Sequence, residues 1–221
     1  MAGLRRLIIA PMQQTAPRHF SMVREFHLAD FFTLGNAACG VGSILLAMLF
    51  MASGHREHFL AAAVLAPIAF ILDVLDGRIA RARHTHSALG RELDSLSDVI
   101  SFGMAPAALG FAAGLQGGWD AAALIYFVCC GVSRLARYNV TAEALAGDDS
   151  SGKVKYFEGT PIPTSVVIVG LLAWACWDGR IEDNLWFGVF NVGPWEFHPL
   201  SLLFVASGSL MISKTLRIPK F

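Results

Sequence analysis

The chain has 221 residues, 55% of them hydrophobic and only 15% charged, with a mean hydropathy of +0.54. Soluble domains carry about 25% charged residues, so the composition excludes a disordered or nucleic-acid-binding chain. Its 17 Lys+Arg and 17 Asp+Glu cancel, so any electrostatic function lies in where the charges sit rather than in their sum.

At the N-terminus, Arg5 and Arg6 precede an apolar stretch, Leu7 to Pro11, that is too short for a signal-peptide core, and no cleavage is expected. Apolar segments then follow at about 31–53, 57–77, 93–115, 119–139, 162–178 and 198–214, each near the ~20 residues that a membrane helix requires. Gln116-Gly117-Gly118 predicts a tight turn between the third and fourth, while Thr141 to Gly159 reads as the main internal loop. The connection from Asp178 to Phe197 mixes acids with Trp186, Phe187, Phe190 and Trp195, a composition suited to the membrane interface.

Basic residues are retained on the cytoplasmic side of a membrane. With the N-terminus inside, 15 of the 17 Lys and Arg fall on that side, leaving Arg56 and Arg180 outside, where all five tryptophans gather. The expected fold is an all-α integral membrane protein. It comprises a cytoplasmic segment 1–30, one six-helix membrane domain 31–214 and a short tail 215–221, with both termini cytoplasmic. The four cysteines form no CxxC pair and read as small buried apolar residues.

Chemistry concentrates where the second segment ends and the third begins. Spacing of three places Asp73 and Asp76 on one helix face, and spacing of four does the same for Asp94 and Asp98. Facing helices would converge four carboxylates, which at a membrane boundary are costly unless solvated, paired or bound to metal. An all-oxygen ligand set favours Mg²⁺ or Mn²⁺. Gly77 and Ala80 clear the neighbouring surface, and Arg81 supplies a planar cation for phosphate. Together these residues describe a pyrophosphate site.

The string Asp73-x2-Asp76-Gly77-x2-Ala80-Arg81-x8-Gly90-x3-Asp94-x3-Asp98 resembles, at every fixed position and spacing, the signature of the CDP-alcohol phosphatidyltransferase family. The resemblance implies a six-helix membrane enzyme, usually a homodimer, that joins a CDP-activated lipid to an alcohol and releases CMP. It implies Asp73, Asp76 and Asp94 as metal ligands, and Asp98 as general base with a possible metal contact. Gly77, Ala80 and Arg81, with Asp73 and Thr33, fall to the CDP moiety. Three further patches resemble the phosphatidylserine synthase branch: Thr33-Leu-Gly-Asn36-Ala-Ala-Cys39-Gly40, Ser133-Arg134-Leu-Ala-Arg137-Tyr-Asn139, and Phe157-Glu-Gly159-Thr-Pro161-Ile-Pro163. Where many members carry Pro-Asn before that threonine, this chain carries Ala29-Asp30.

The implied substrates are CDP-diacylglycerol and L-serine, giving phosphatidylserine in phospholipid biosynthesis, with membrane lipid and a second copy as partners and no nucleic acid. Arg134 and Arg137 are candidates for the serine carboxylate, Glu158 for its ammonium. Glycerol 3-phosphate or an inositol phosphate is the alternative acceptor, kept open by Arg134, Arg137, Lys153 and Lys155. A small transporter is the alternative outside enzymes, disfavoured because the acids cluster at one edge. Arg78, Arg83 and Arg91 read as membrane anchors, His84 and His86 as solvated loop histidines, and Gly35, Gly40, Gly42 and Ser43 as helix-packing contacts. The expected location is the bacterial cytoplasmic membrane, with the acids on the cytoplasmic side.

Overall fold

The computed structural model describes residues 28–82, 88–146, 156–213 and 217–219. Residues 1–27 of the expected N-terminal segment, Arg83, His84, His86, Lys153 and Lys155 lie outside them, while residues 28–30, expected in that segment, already belong to the first helix. Helix α1 runs Leu28–Ser53, α2 Arg56–Ala82 and α3 Ala88–Asp98, followed by a π-helical turn over Val99–Met104 and α4 over Ala105–Ala112. Helix α5 spans Gly118–Ala146, α6 Ser165–Trp177 and α7 Leu202–Ile212. Four helices among the described residues are long and apolar enough to cross a membrane: Ala29–Ser53, Arg56–Ile79, Leu89–Ala112 and Gly118–Val140. The segments expected at 162–178 and 198–214 form shorter apolar helices, Ile162–Trp177 and Pro199–Ile212.

Two departures have local causes. The third span contains a π turn because Pro106 has no N–H to bond the carbonyl of Phe102, and its ring would collide with that carbonyl in an α-helix. The wider turn absorbs the conflict, and the Ala105 N–H bonds Ile100 O instead. Helix α5 continues to Ala146, six residues into the stretch from Thr141 expected as loop, because Ala142-Glu-Ala-Leu-Ala carries high helix propensity.

Two short antiparallel pairings supplement the helices. Strand β1 (Tyr156–Glu158) pairs with β4 (Arg217–Pro219), tying the C-terminal region to the segment after α5. Strands β2 (Phe190–Val192) and β3 (Trp195–Phe197) form a hairpin inside the connection between α6 and α7. Its two-residue Gly193-Pro194 turn needs a positive φ, which Gly193 supplies at +64°.

The third span is the centre of the bundle: over half of its most apolar window is buried, against 28% for each of the first two. Leu45, Met48, Ile71 and Val64 stay exposed on α1 and α2, as residues facing lipid tails do. Small residues bring the helices together, as expected for Gly35, Gly40 and Gly42. A methyl on Gly35 or Gly42 would stand 3.3 Å from Leu72 or 3.1 Å from Leu65, and one on Gly40 would stand 2.5 Å from Ser101 Oγ. Ser43 Oγ donates to the Ala62 carbonyl at 2.9 Å. On the other flank Gly208 of α7 lies against the Phe127 backbone of α5, beside an edge-to-face Phe127–Phe204 pair at 5.3 Å. All four cysteines are free; Cys130 and Cys176 are buried as expected, whereas Cys39 is half-buried and Cys129, on the outer face of α5, is exposed.

Candidate active site

Helices α1 and α2 run antiparallel, and the contacts Gly35–Leu72 and Thr33–Asp76 set their register. That register brings the first turns of α1 level with the Asp73–Arg81 end of α2. Helix α3 enters beside them, and carboxylate oxygens of Asp73, Asp76 and Asp94 all lie within 4.8 Å of one another. Asp76 is buried, Asp73 and Asp94 half-buried. Three carboxylates this close repel one another in a medium of low dielectric. One buried oxygen, Asp94 Oδ1, has no hydrogen-bond partner among the described residues. Hard oxygen donors in a cluster, one of them unsatisfied, fit a divalent cation such as Mg²⁺ or Mn²⁺.

Asp98 is one turn deeper on α3 and outside that group of three. It is buried, accepts a hydrogen bond from Asn36 Nδ2 at 3.3 Å, and is within electrostatic reach of both Asp73 and Asp94. Thr33 is buried in the same layer and donates through Oγ1 to Asp76 Oδ2 at 2.7 Å, so it reaches the cluster through an acid. Gly77 faces the Arg81 guanidinium, which a methyl there would meet at 3.6 Å, and Arg81 is exposed at the end of α2. Ala80 lies in the same turn; its side chain is outside the described residues.

The acceptor candidates separate. Arg134 of α5 is half-buried, lies within electrostatic reach of Asp98, and has a buried Nε without a hydrogen-bond partner among the described residues. Arg137 is exposed and donates to the Ile212 carbonyl at the end of α7, at 3.5 Å. Glu158 lies on β1 opposite Arg217; its side chain is outside the described residues.

Three site features were not singled out from the sequence. Asn36 was visible only as part of a motif, and its contact with Asp98 spans 62 residues of chain. Asp30, 4% exposed, adds a fifth carboxylate within electrostatic reach of Asp76; its signal was the departure from Pro-Asn. Asn139 joins α5 to α3 through Ser95 and Glu92, at 3.0 and 3.4 Å from its Nδ2.

Comparison with known proteins agrees with this geometry. The chain is 46% identical over 203 residues to the CDP-diacylglycerol–serine O-phosphatidyltransferase of Saccharomyces cerevisiae, covering 91% of this chain and 74% of the yeast protein. It is 37% identical over 181 residues to the protein of the same name from Helicobacter pylori, covering 81% and 69%. Archaetidylserine synthase of Methanothermobacter thermautotrophicus is 37% identical over 145 residues, covering 64% and 55%. Residues 26–204, which hold every acid of the cluster and the arginine behind it, match the family described as CDP-alcohol phosphatidyltransferase, and this chain belongs to that family.

Proposed function

We propose that this chain transfers the phosphatidyl group of CDP-diacylglycerol to the hydroxyl of L-serine, giving phosphatidylserine and CMP. The observation that carries the reading is the convergence of Asp73, Asp76 and Asp94 beside a buried Asp98 that lies within electrostatic reach of Arg134. It joins a phosphate-compatible acid cluster, a proton acceptor and a cation for a carboxylate. The names of the yeast and Helicobacter relatives support serine as the acceptor.

In this mechanism the serine hydroxyl oxygen forms a bond to the lipid-side phosphorus as the bond from that phosphorus to CMP breaks. The hydroxyl proton passes to the Asp98 carboxylate, and CMP leaves with the bridging oxygen. Asp73, Asp76 and Asp94, with Asp98 as the further candidate, would hold Mg²⁺ or Mn²⁺, which when bound offsets the pyrophosphate charge and that of the departing CMP. Arg81 and Gly77, with Ala80 and Thr33, form the CDP side of the pocket. Arg134 takes the serine carboxylate and Glu158 its ammonium. Arg137 serves mainly to cap α7. The chain works as a homodimer of six-span subunits with both termini and the acids on the cytoplasmic side. Relatives from yeast, bacteria and an archaeon make the bacterial cytoplasmic membrane one host among several.

The deciding measurement is CMP release by purified protein in detergent with CDP-diacylglycerol and Mn²⁺ or Mg²⁺, comparing L-serine, glycerol 3-phosphate and inositol phosphate. Release with serine alone is expected. Release with another alcohol would keep the acid cluster and overturn the acceptor. No metal-dependent release with any of the three would return the transporter reading.

A further inference from the structure

Asn36 is fully buried in a membrane-spanning helix, a position where a carboxamide is expensive unless its polar atoms are used. Its side chain donates from Nδ2 to Asp98 Oδ1 at 3.3 Å while Oδ1 of the same carboxamide has no hydrogen-bond partner among the described residues, and its backbone carbonyl accepts from Ser101 Oγ at 2.8 Å. Those partners lie three residues apart, at the two sides of the junction where α3 passes into the π turn. The two bonds therefore form a reciprocal clamp: one end of the junction anchors the Asn36 backbone, and Asn36 in turn holds the carboxylate at the other end. Gly40, one helical turn further along α1, permits the approach, since Ser101 backbone atoms stand 2.8 and 2.9 Å from where its methyl would be.

Asp98 needs such a restraint. Asp73 and Asp94 lie within electrostatic reach of it and repel its charge, whereas Arg134 attracts it. A carboxylate free to turn about its last bond would present its oxygens to these neighbours in changing orientations. A proton acceptor has to offer one lone pair to the incoming hydroxyl at hydrogen-bond distance. We infer that Asn36 is a positioning residue for the transfer reaction: by holding Oδ1 of Asp98, it keeps Oδ2 directed at the acceptor hydroxyl. This rests on the reading of Asp98 as proton acceptor.

The test uses the full chain in detergent with CDP-diacylglycerol, Mn²⁺ and L-serine, following CMP release. Asn36→Leu keeps the volume and removes the donor. It is expected to lower kcat about 10- to 100-fold, the worth of a hydrogen bond to a charged group, with KM for both substrates within about threefold of wild type. In an Asp98→Asn background, where turnover is lost, the same change is expected to leave the Kd for CDP-diacylglycerol within about threefold of that background, as isothermal titration reads, because a positioning residue acts on the proton acceptor and not on the lipid. Wild-type kcat in Asn36→Leu, a raised KM with unchanged kcat, or a loss of CDP-diacylglycerol binding when Asn36→Leu is added to Asp98→Asn would each overturn the assignment. If Asn36→Leu fails to fold, Asn36→Ser, whose side chain is too short to span the same distance, carries the test with the same outcomes. Should Asp98→Asn itself turn over normally, or wild type release no CMP with serine, the failure belongs to the proposed function and not to Asn36.

Discussion

Arg134 and Arg137 stand one turn apart on α5 and look equivalent in sequence, yet their surroundings differ. Arg134 is half-buried within electrostatic reach of Asp98, while Arg137 reaches the last carbonyl of α7. Arg134→Lys keeps a charge but removes the planar fork that matches a carboxylate. It should raise KM for serine about tenfold or more and leave KM for CDP-diacylglycerol within about threefold, as steady-state CMP release will read. Arg137→Ala should lower the thermal midpoint in detergent by a few degrees with KM for serine unchanged. Asp98→Asn should abolish turnover while CDP-diacylglycerol still binds, measured by isothermal titration. The acids themselves were legible because their spacing of three and four is a helical address. Asn36, Asp30 and the division of labour between the arginines were not, because each depends on a neighbour more than 35 residues away, and spacing within one helix carries no such information.

At the scale of elements, the spans and their order follow from hydropathy, whereas the breaks in them do not. The π turn after Asp98 depends on a proline eight residues downstream of the acid, at Pro106, combined with tertiary contacts to α1. Gly40 is where those contacts are closest. Gly40→Ala should force α1 and the π turn apart, destabilising the protein by about 1–3 kcal/mol and lowering kcat through the displaced Asp98; circular-dichroism melting and CMP release measured on the same sample will show both. Gly159, at φ +74° and with the Met211 carbonyl 2.4 Å from the site of a methyl, marks a second such position. It was readable in sequence as a loop-ending glycine, while its packing against the end of α7 was not.

Across the whole molecule, chemistry and structural fastening occupy opposite ends. Far from the acids, Asp120 is fully buried and accepts bonds from Gly117 N at 3.0 Å, His198 N at 2.9 Å and His198 Nδ1 at 2.6 Å, joining the start of α5 to the end of the β2–β3 hairpin. Trp119 and Trp195 close the same seam at 5.3 Å. Asp120→Ala leaves three donors unpaired and should cost about 3 kcal/mol of stability. The fourteen residues of α5 between Asp120 and Arg134 span about 21 Å, so KM for both substrates should stay within about twofold in the folded fraction. Chelation by EDTA should abolish CMP release, and added Mn²⁺ should restore it and raise the melting temperature of wild type, but not of an Asp73→Asn/Asp94→Asn double variant.

The two shorter apolar helices differ in length from the rest in a way that bears on the surrounding lipid. At 1.5 Å per residue, Ile162–Trp177 measures about 24 Å and Pro199–Ile212 about 21 Å, whereas Ala29–Ser53 reaches about 37 Å. With six spans, as proposed, α6 and α7 are each shorter than the ~30 Å hydrocarbon layer, whereas α1 and α2 exceed it. Such a hydrophobic mismatch is met by thinning of the bilayer beside the short helices. Headgroups and water would then dip beside the end of α7, whose Ile212 carbonyl Arg137 holds one turn of α5 from Arg134, giving a water-soluble amino acid a short approach, while α1 keeps a full-depth leaflet beside it for a lipid whose tails remain in the membrane throughout the reaction.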